Sequence, residues 1–398
     1  MKIVFVTPYY TEGMGYIGNR LPAKLAELGH EVHLISSTGK VYFTQSFFKN
    51  YKNVHEKKHV VEPYKLVEGV HIHRVPHLEF MSTLYLRGLW TMLKRIQPDV
   101  VHTWEISSPY VLQIAVAKPF LNYKMFSANH YVLSVFALHR TWHKFSMAKL
   151  KWVLLKKYTG KFISMFTDQC FPATNDARFV AVKYMGMPLR KCKVTPLGVD
   201  TDLFKPITDE KGRILRNELR KTMGYSENDI VCIYTGRFAA DKNPLVLAKA
   251  VDKLQKAGNT RYKGLFIGVG EQESEIKDCE GCQIIPFEKY VNLWKYYQAS
   301  DIGVWPTQES TSMIDAAACG IPIVISNQLY ARERVSGNGI DYEFENVDDM
   351  SAKLLTLEDA SYRQRLGQHG SEKMKTQFSW DRIAEERIAD YTYHINKK

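Results

Sequence analysis

Arg237 and Lys242, five positions apart after Tyr234-Thr235-Gly236, place two fixed cations in one turn. Arginine offers a planar fork for phosphate oxygens and lysine a compact point charge. Beside a diphosphate leaving group, both would stabilise the negative charge that grows as its bond breaks. A second turn runs Trp305-Pro306-Thr307-Gln308-Glu309 into Ser310-Thr311-Ser312, then Asp315-Ala-Ala-Ala-Cys319-Gly320. Ser310, Thr311 and Ser312 open a predicted helix, and the free N–H groups and dipole of such a start favour an anion. Glu309 stands just before that start, where it would repel a phosphate but suit neutral hydroxyls. Asp315, one to two turns on, is placed to accept from ribose hydroxyls, as acidic residues do at other nucleotide sites. Alone, Glu309 reads equally well as a helix-dipole partner and Asp315 as an exposed helix residue. Together the two turns read as a cradle for a sugar attached to a diphosphate.

The front half offers a different set. Gly13-Met-Gly15-Tyr-Ile-Gly18 follows the first predicted strand and precedes a predicted helix over Asn19–Leu28. It matches the dinucleotide pattern G-x-G-x-x-G. The second strand, however, ends in Ser36-Ser37 with no acidic residue for a ribose, which disfavours a dehydrogenase. A glycine loop that lets a ligand approach closely fits better. His130 follows a predicted strand and is suited to bond a sugar hydroxyl or assist proton transfer; a packed or surface role is the alternative. His102 stands in the same situation. His71 and His73 alternate on one face of a strand and would hold a metal only with a third ligand nearby. Asp200-Thr-Asp202 falls in a proline-bounded segment, where a turn or capping role is expected. Cys279-Glu-Gly-Cys282 has metal-ligand spacing but no second pair. No metal and no cofactor is expected.

These residues need elements to hold them. Candidate strands are Lys2–Thr7, Glu31–Ser36, Val70–Val75, Val100–His102, Met125–Ala128 and Gln169–Pro172 in the front half. The back half repeats the pattern with Ile230–Tyr234, Gly264–Ile267, Gln283–Ile285, Ile302–Val304 and Ile323–Ile325. Short apolar runs alternating with helical segments predict parallel sheets built from βαβ units. In such sheets ligands bind beyond the carboxyl ends of the strands, where both back-half turns fall. Thr195–Pro206, bounded by prolines, reads as a linker. Trp380, Ile383, Ala384, Ile388 and Tyr391 form an apolar stripe on a final helix capped by Ser379, and such a face must dock.

A chain of 398 residues exceeds the size of one hydrophobic core, so two domains are expected. No apolar run is long enough to span a bilayer, and the N-terminus reads as a strand rather than a signal peptide. Six dispersed cysteines then suggest reduced thiols. Both features point to a cytoplasmic protein. The formal charge of +12 is uneven: residues 40–161 hold 19 Lys and Arg against 6 Asp and Glu. Such a basic surface suits either a solvated face or an anionic membrane, with peripheral attachment to the inner face of the cell membrane. No segment resembles a nucleic-acid-binding module, so nucleic acid is not an expected partner.

Taken in order, four segments resemble the retaining glycosyltransferases of family 4, which have the GT-B fold. Gly236-Arg237…Lys242 is similar to the family's G-R-x4-K. Thr195-Pro-Leu-Gly-Val-Asp-Thr-Asp-Leu-Phe-Lys-Pro206 resembles its interdomain P-N-G-V-D-x-x-x-F-x-P, with Leu197 in place of the asparagine. Asp315-Ala-Ala-Ala-Cys-Gly-Ile-Pro-Ile-Val resembles E-A-M-A-C-G-x-P-V-V, and Phe378-Ser-Trp-Asp resembles the start of the helix that crosses back. Glu309 and Asp315 are separated by five residues, where the family's two glutamates are separated by seven.

The resemblance implies an α/β chain of two Rossmann-like domains whose parallel sheets face a central cleft. Residues 1–195 would bind the acceptor, 196–206 link, 207–378 bind the nucleotide sugar, and 379–398 pack back on the first domain. Arg237 and Lys242 would hold the donor diphosphate, Glu309 the transferred sugar and Asp315 the ribose. His130 would stand near that sugar, with Gly13 and Gly15 by the diphosphate and acceptor. The implied partners are a uridine or guanosine diphosphate sugar and a glycan or lipid-linked acceptor in cell-surface polysaccharide or glycoconjugate synthesis. The transfer would be of a hexose, metal-independent, with retention. A sugar-nucleotide epimerase, or a nucleotide-sugar-binding protein without turnover, are the alternatives on the same fold.

Overall fold

The computed structural model describes residues 1–39, 62–80, 83–307 and 309–397. Residues 40–61, which open the basic stretch, and Gln308 of the second turn lie outside the described residues. The described chain divides into two compact units, one holding 1–197 and 380–397, the other 198–379.

In the first unit the strands are β1 (Lys2–Val6), β2 (Glu31–Ser37), β3 (Tyr64–Val67), β4 (Val70–Val75), β5 (His77–Phe80), β6 (Thr83–Leu86), β7 (Val100–Thr103), β8 (Lys124–Asn129) and β9 (Gln169–Pro172). Seven of them form one sheet in the order β3-β4-β2-β1-β7-β8-β9, with β5 and β6 as a separate antiparallel pair. Every pairing in the large sheet is parallel except β3 with β4. Parallel neighbours require crossovers, supplied for instance by the helices Ile17–Glu27 and Pro109–Leu121. Helices on the faces explain why Ile3, Val4, Phe5 and Val6 are all fully buried. Chain order reverses between β1 and β7, so their carboxyl ends bound a switch point.

The stripe on the last helix, Trp380–Asn396, docks within this unit. Trp380, Ile383, Ala384 and Tyr391 share one buried cluster with Phe5, Leu34, Phe126 and Phe171. Lys24 Nζ reaches Asp381 at 3.0 Å.

The second unit repeats the plan. β10 (Ile230–Thr235), β11 (Tyr262–Ile267), β12 (Cys282–Ile285), β13 (Ile302–Trp305), β14 (Ile323–Ser326) and β15 (Gly339–Tyr342) form an all-parallel sheet in the order β12-β11-β10-β13-β14-β15. Its switch point lies between β10 and β13. The expected α/β fold, with parallel sheets in two domains, is therefore present.

Each predicted strand lies within one or two residues of an observed one. The strands missed are β3, β5, β6 and β15. β3 is an edge strand whose Tyr64 and Leu66 are exposed, so its pattern carries no buried run. It turns back through Glu68 and Gly69, both at positive φ (47° and 76°), as a tight hairpin requires.

Candidate active site

The two back-half turns meet at the β10/β13 switch point. Gly236 follows β10 at φ +149°, and its N–H donates to Ile267 O at 3.0 Å. At the neighbouring turn a Cβ on Gly268 would collide with the carbonyl oxygen of Gly236, and one on Gly270 with that of Phe238. Two strand ends thus pack backbone to backbone, which only glycine permits. Gly268 and Gly270 are not among the expected site residues, although Gly268-Val-Gly270 directly follows a predicted strand.

Arg237, half-buried, pairs with Asp241 at 3.0 Å. The chain then turns through Asn243 at φ +45°, and Pro244 precedes the helix Leu245–Lys256. Lys242 is half-buried beside this turn. Burial pushes its ammonium below the ordinary lysine range and Arg237 adds to that, while Asp241 and Glu309 oppose it. Lys242 and Glu309, from different turns, therefore sense each other's charge.

The start of the helix Thr311–Ala318 is tied to the end of β10. Ser310 is its N-cap and accepts from the Ser312 N–H at 3.4 Å. The Ser310 and Ser312 hydroxyls lie 2.6 Å apart, and Ser312 Oγ donates to Thr235 O at 3.4 Å. The Trp305 indole N–H donates to the same carbonyl at 3.2 Å, and Thr235 Oγ1 meets Tyr297 Oη at 2.7 Å. The Ser310 and Ser312 hydroxyls thus join the two turns, while Thr311 begins the helix. Asp315 is 4% exposed, so it is not the ordinary surface residue that its position alone allowed. Burial, with the Asp200 carboxylate nearby, holds its carboxyl well above the usual range. Asp200 itself accepts from the N–H groups of Asp202 and Leu203 at 3.2 Å, an Asx turn.

In the first unit, Gly13 lies beyond the end of β1 at φ +72°, with nothing within 4 Å of where its Cβ would be. Gly15 follows, and the helix begins at Ile17, two residues earlier than expected. His130 follows β8 and is half-buried, its ring 6.4 Å from that of Trp104 in a T-shaped contact. Trp104 follows β7 and stacks on Phe5 at 5.0 Å. Glu105 comes next; burial raises its carboxyl, opposed by Lys156 and a bond from Ser108. Trp104 and Glu105 were missed, and their signal was the place just past a predicted strand at the switch point.

His102 resolves as a core residue. It is fully buried, bonded to Tyr391 Oη at 2.5 Å and packed between the rings of Phe5 and Phe171. Burial, then Arg387 and His130, push its pKa far down. His71 and His73 lie on β4, and His33 on β2 supplies a third ring. Its Nδ1 lies 2.9 Å from His73 Nε2, with Glu31 at 3.0 Å on the other nitrogen, so the rings bond one another. Cys279 and Cys282 donate to the carbonyls of Glu275 and Ala248. Among the described residues, no group of three or more His, Cys, Asp or Glu could hold a metal ion. No described helix is long and apolar enough to cross a membrane.

Comparison with known proteins agrees with this layout. Residues 14–203 match the family described as Glycosyltransferase Family 4, and residues 229–359 match that described as Glycosyl transferases group 1. Spore coat protein SA of Bacillus subtilis is 26% identical over 221 residues, covering 50% of this chain and 58% of that protein. An Escherichia coli UDP-Gal:alpha-D-GlcNAc-diphosphoundecaprenol alpha-1,3-galactosyltransferase is 24% identical, over 61% of each chain. The chain spans about half the length of the curated relatives it matches. Anabaena HepE in complex with UDP superposes with a TM-score of 0.72 at 14% identity, covering 99% of this chain and 100% of that one. The two family matches, in register with two parallel sheets of GT-B type, lead to one conclusion: the chain belongs to the group 1, family 4-like glycosyltransferases.

Proposed function

We propose that the chain transfers a hexose, with retention and without a metal ion, from a nucleoside diphosphate sugar to a glycan or lipid-linked acceptor of a cell-surface polysaccharide or glycoconjugate. One observation carries the reading: Arg237 and Lys242 share the β10/β13 switch point with Glu309 and with the start of the helix Thr311–Ala318. The two cations would take the donor diphosphate, Arg237 exchanging Asp241 for phosphate oxygens. They would then stabilise the charge that develops on the leaving group, the work a metal would otherwise do. A bound diphosphate would also restore the Lys242 ammonium to its ordinary range. Gly236 lets the backbone approach, and the N-terminus led by Ser310, Thr311 and Ser312 adds partial positive charge. Glu309 would bond hydroxyls of the transferred sugar and Asp315 those of the ribose. In the first unit, His130 would contact the sugar, with Gly13 and Gly15 leaving room for diphosphate and acceptor.

The solved relatives with UDP and UDP-glucose favour a uridine donor, with guanosine as the alternative. The basic front half supports a cytoplasmic protein attached peripherally to an anionic inner membrane face. Arg237→Ala and Lys242→Ala test the donor assignment, and near-native turnover in both would refute it. A thermal-shift screen of uridine and guanosine diphosphate sugars would identify the base. Product formed from donor alone would instead indicate the epimerase. Nucleotide binding without transfer to any of a broad acceptor panel would indicate the binding protein.

A further inference from the structure

We infer that one helical face of the first unit, over residues 147–165, docks on the surface of an anionic phospholipid bilayer. This deepens the membrane contact proposed above and rests on it, but not on the transfer chemistry.

The segment is one continuous run: an α-helix over Met147–Trp152, a π-helical stretch over Val153–Tyr158 and an α-helix over Thr159–Phe166. Ser146 caps it, accepting from Lys149 N–H at 3.1 Å. Its inner face is anchored. Trp152 Nε1 donates to Tyr184 O at 2.8 Å and its ring packs 4.6 Å from Phe136. Ile163 is fully buried, and Gly160 leaves no room for a side chain against Met185 O.

The outer face is apolar and open. Met147, Leu150, Leu154, Tyr158, Phe162 and Met165 recur every three or four residues, and each is exposed, from 38% for Leu150 to 66% for Met165. Phe145, just before the cap, is 81% exposed. Single exposed apolar residues need no explanation, but a contiguous stripe of this length marks an interaction surface. The π stretch matters here. Rows at i, i+4 drift around an ideal α-helix, and the wider turn offsets the drift, keeping Leu150, Leu154, Tyr158 and Phe162 in line.

Charge selects the occupant. Residues 106–167 contain nine Lys and Arg and no Asp or Glu. Lys149 and Lys156 donate to the carbonyls of Trp142 and Ser107 at 2.6 and 2.8 Å. Lys144, Lys151 and Lys161 are exposed beside the stripe. Apolar side chains along one line, flanked by lysines that can extend to headgroups, describe a helix lying in the plane of an anionic interface. The structure separates the lysines bound inward, Lys149 and Lys156, from those beside the stripe.

Sedimentation of the full chain with phosphatidylcholine vesicles, with and without phosphatidylglycerol, tests the inference. Binding is expected to the anionic vesicles and to weaken as salt rises. Leu154→Asp with Tyr158→Asp should lower partitioning at least about tenfold, since a charge replaces each inserted group. Lys151→Gln and Lys161→Gln should each lower it about fivefold. All four positions face outward, and unchanged melting and nucleotide binding in the variants would confirm intact folding. Failure of donor binding or transfer in the wild type, with vesicle binding retained, would sink the enzymatic reading and leave this one standing. Absence of binding to anionic vesicles at low salt would overturn it. So would a wild-type dimer, seen by light scattering, that Leu154→Asp converts to monomer without affecting vesicle binding, because the stripe would then join two copies.

Discussion

Apart from the antiparallel edge strand β3, the two units share a strand order but differ in what stands at the point where it reverses. At β10/β13 the turns carry Arg237, Lys242, Glu309 and a capped helix start, drawn together by bonds to the Thr235 carbonyl. At β1/β7 they carry a glycine loop and Trp104, with His130 reached from the neighbouring strand. The first arrangement is hard, cationic and internally cross-linked, suited to an anion. The second is aromatic and weakly polar, suited to the flat faces and hydroxyls of sugars. The backbone plan supplies a place for a ligand in both units, and the side chains of the turns alone choose its chemistry.

Substitutions can break this contrast. Lys242→Ala and Arg237→Ala should have the largest effect, a loss of about 10²–10³ in turnover with weakened nucleotide binding, read by steady-state kinetics and calorimetry. His130→Ala should lower transfer about a hundredfold, at the foot of the range for a proton-transfer group, with nucleotide affinity unchanged. A matching loss of nucleotide affinity would erase the division of labour between the units.

Asp315→Asn should weaken nucleotide binding about tenfold, the worth of a hydrogen bond to a charged group. Its pH dependence has a definite sign. The folded chain raises the Asp315 pKa above 3.8, so the stability this group confers is complete below 3.8 and is lost as pH rises through the folded value. Ribose hydroxyls would favour the ionised carboxylate, so nucleotide should bind more tightly, with proton release, as pH rises through that window. Calorimetry in buffers of different ionisation enthalpy would detect the proton, and Asp315→Asn should abolish it. The smallest effect is expected of Gly13→Ala. Its Cβ meets nothing, so only the left-handed backbone resists, at about 1 kcal/mol. A thermal melt would read that cost, and a larger fall in transfer than in stability would place a ligand against Gly13.

The strands that build both sheets were legible because apolar runs buried on two faces, such as Ile3–Val6, need no knowledge of their neighbours. Edge strands such as β3 and β15 were not, since their exposed faces carry no such run. Arg237 and Lys242 could be read from the sequence because a single turn sets their spacing. Trp104 and Gly268 lie just past predicted strands, but that place alone did not give their roles, because one matters through its contact with His130 and the other through a strand end 32 residues earlier.

The sequence by itself thus determined the α/β class, the family and the cationic turn, all properties of local pattern. Only the tertiary structure decided that His102 is a core residue and that Asp315 is buried. It alone showed that Ser310 and Ser312 bond to each other, and that the apolar stripe from Met147 to Met165 stays outside while Trp152 and Ile163 turn inward. Burial and partnership depend on what other strands and helices bring to the same place, and no local pattern encodes that.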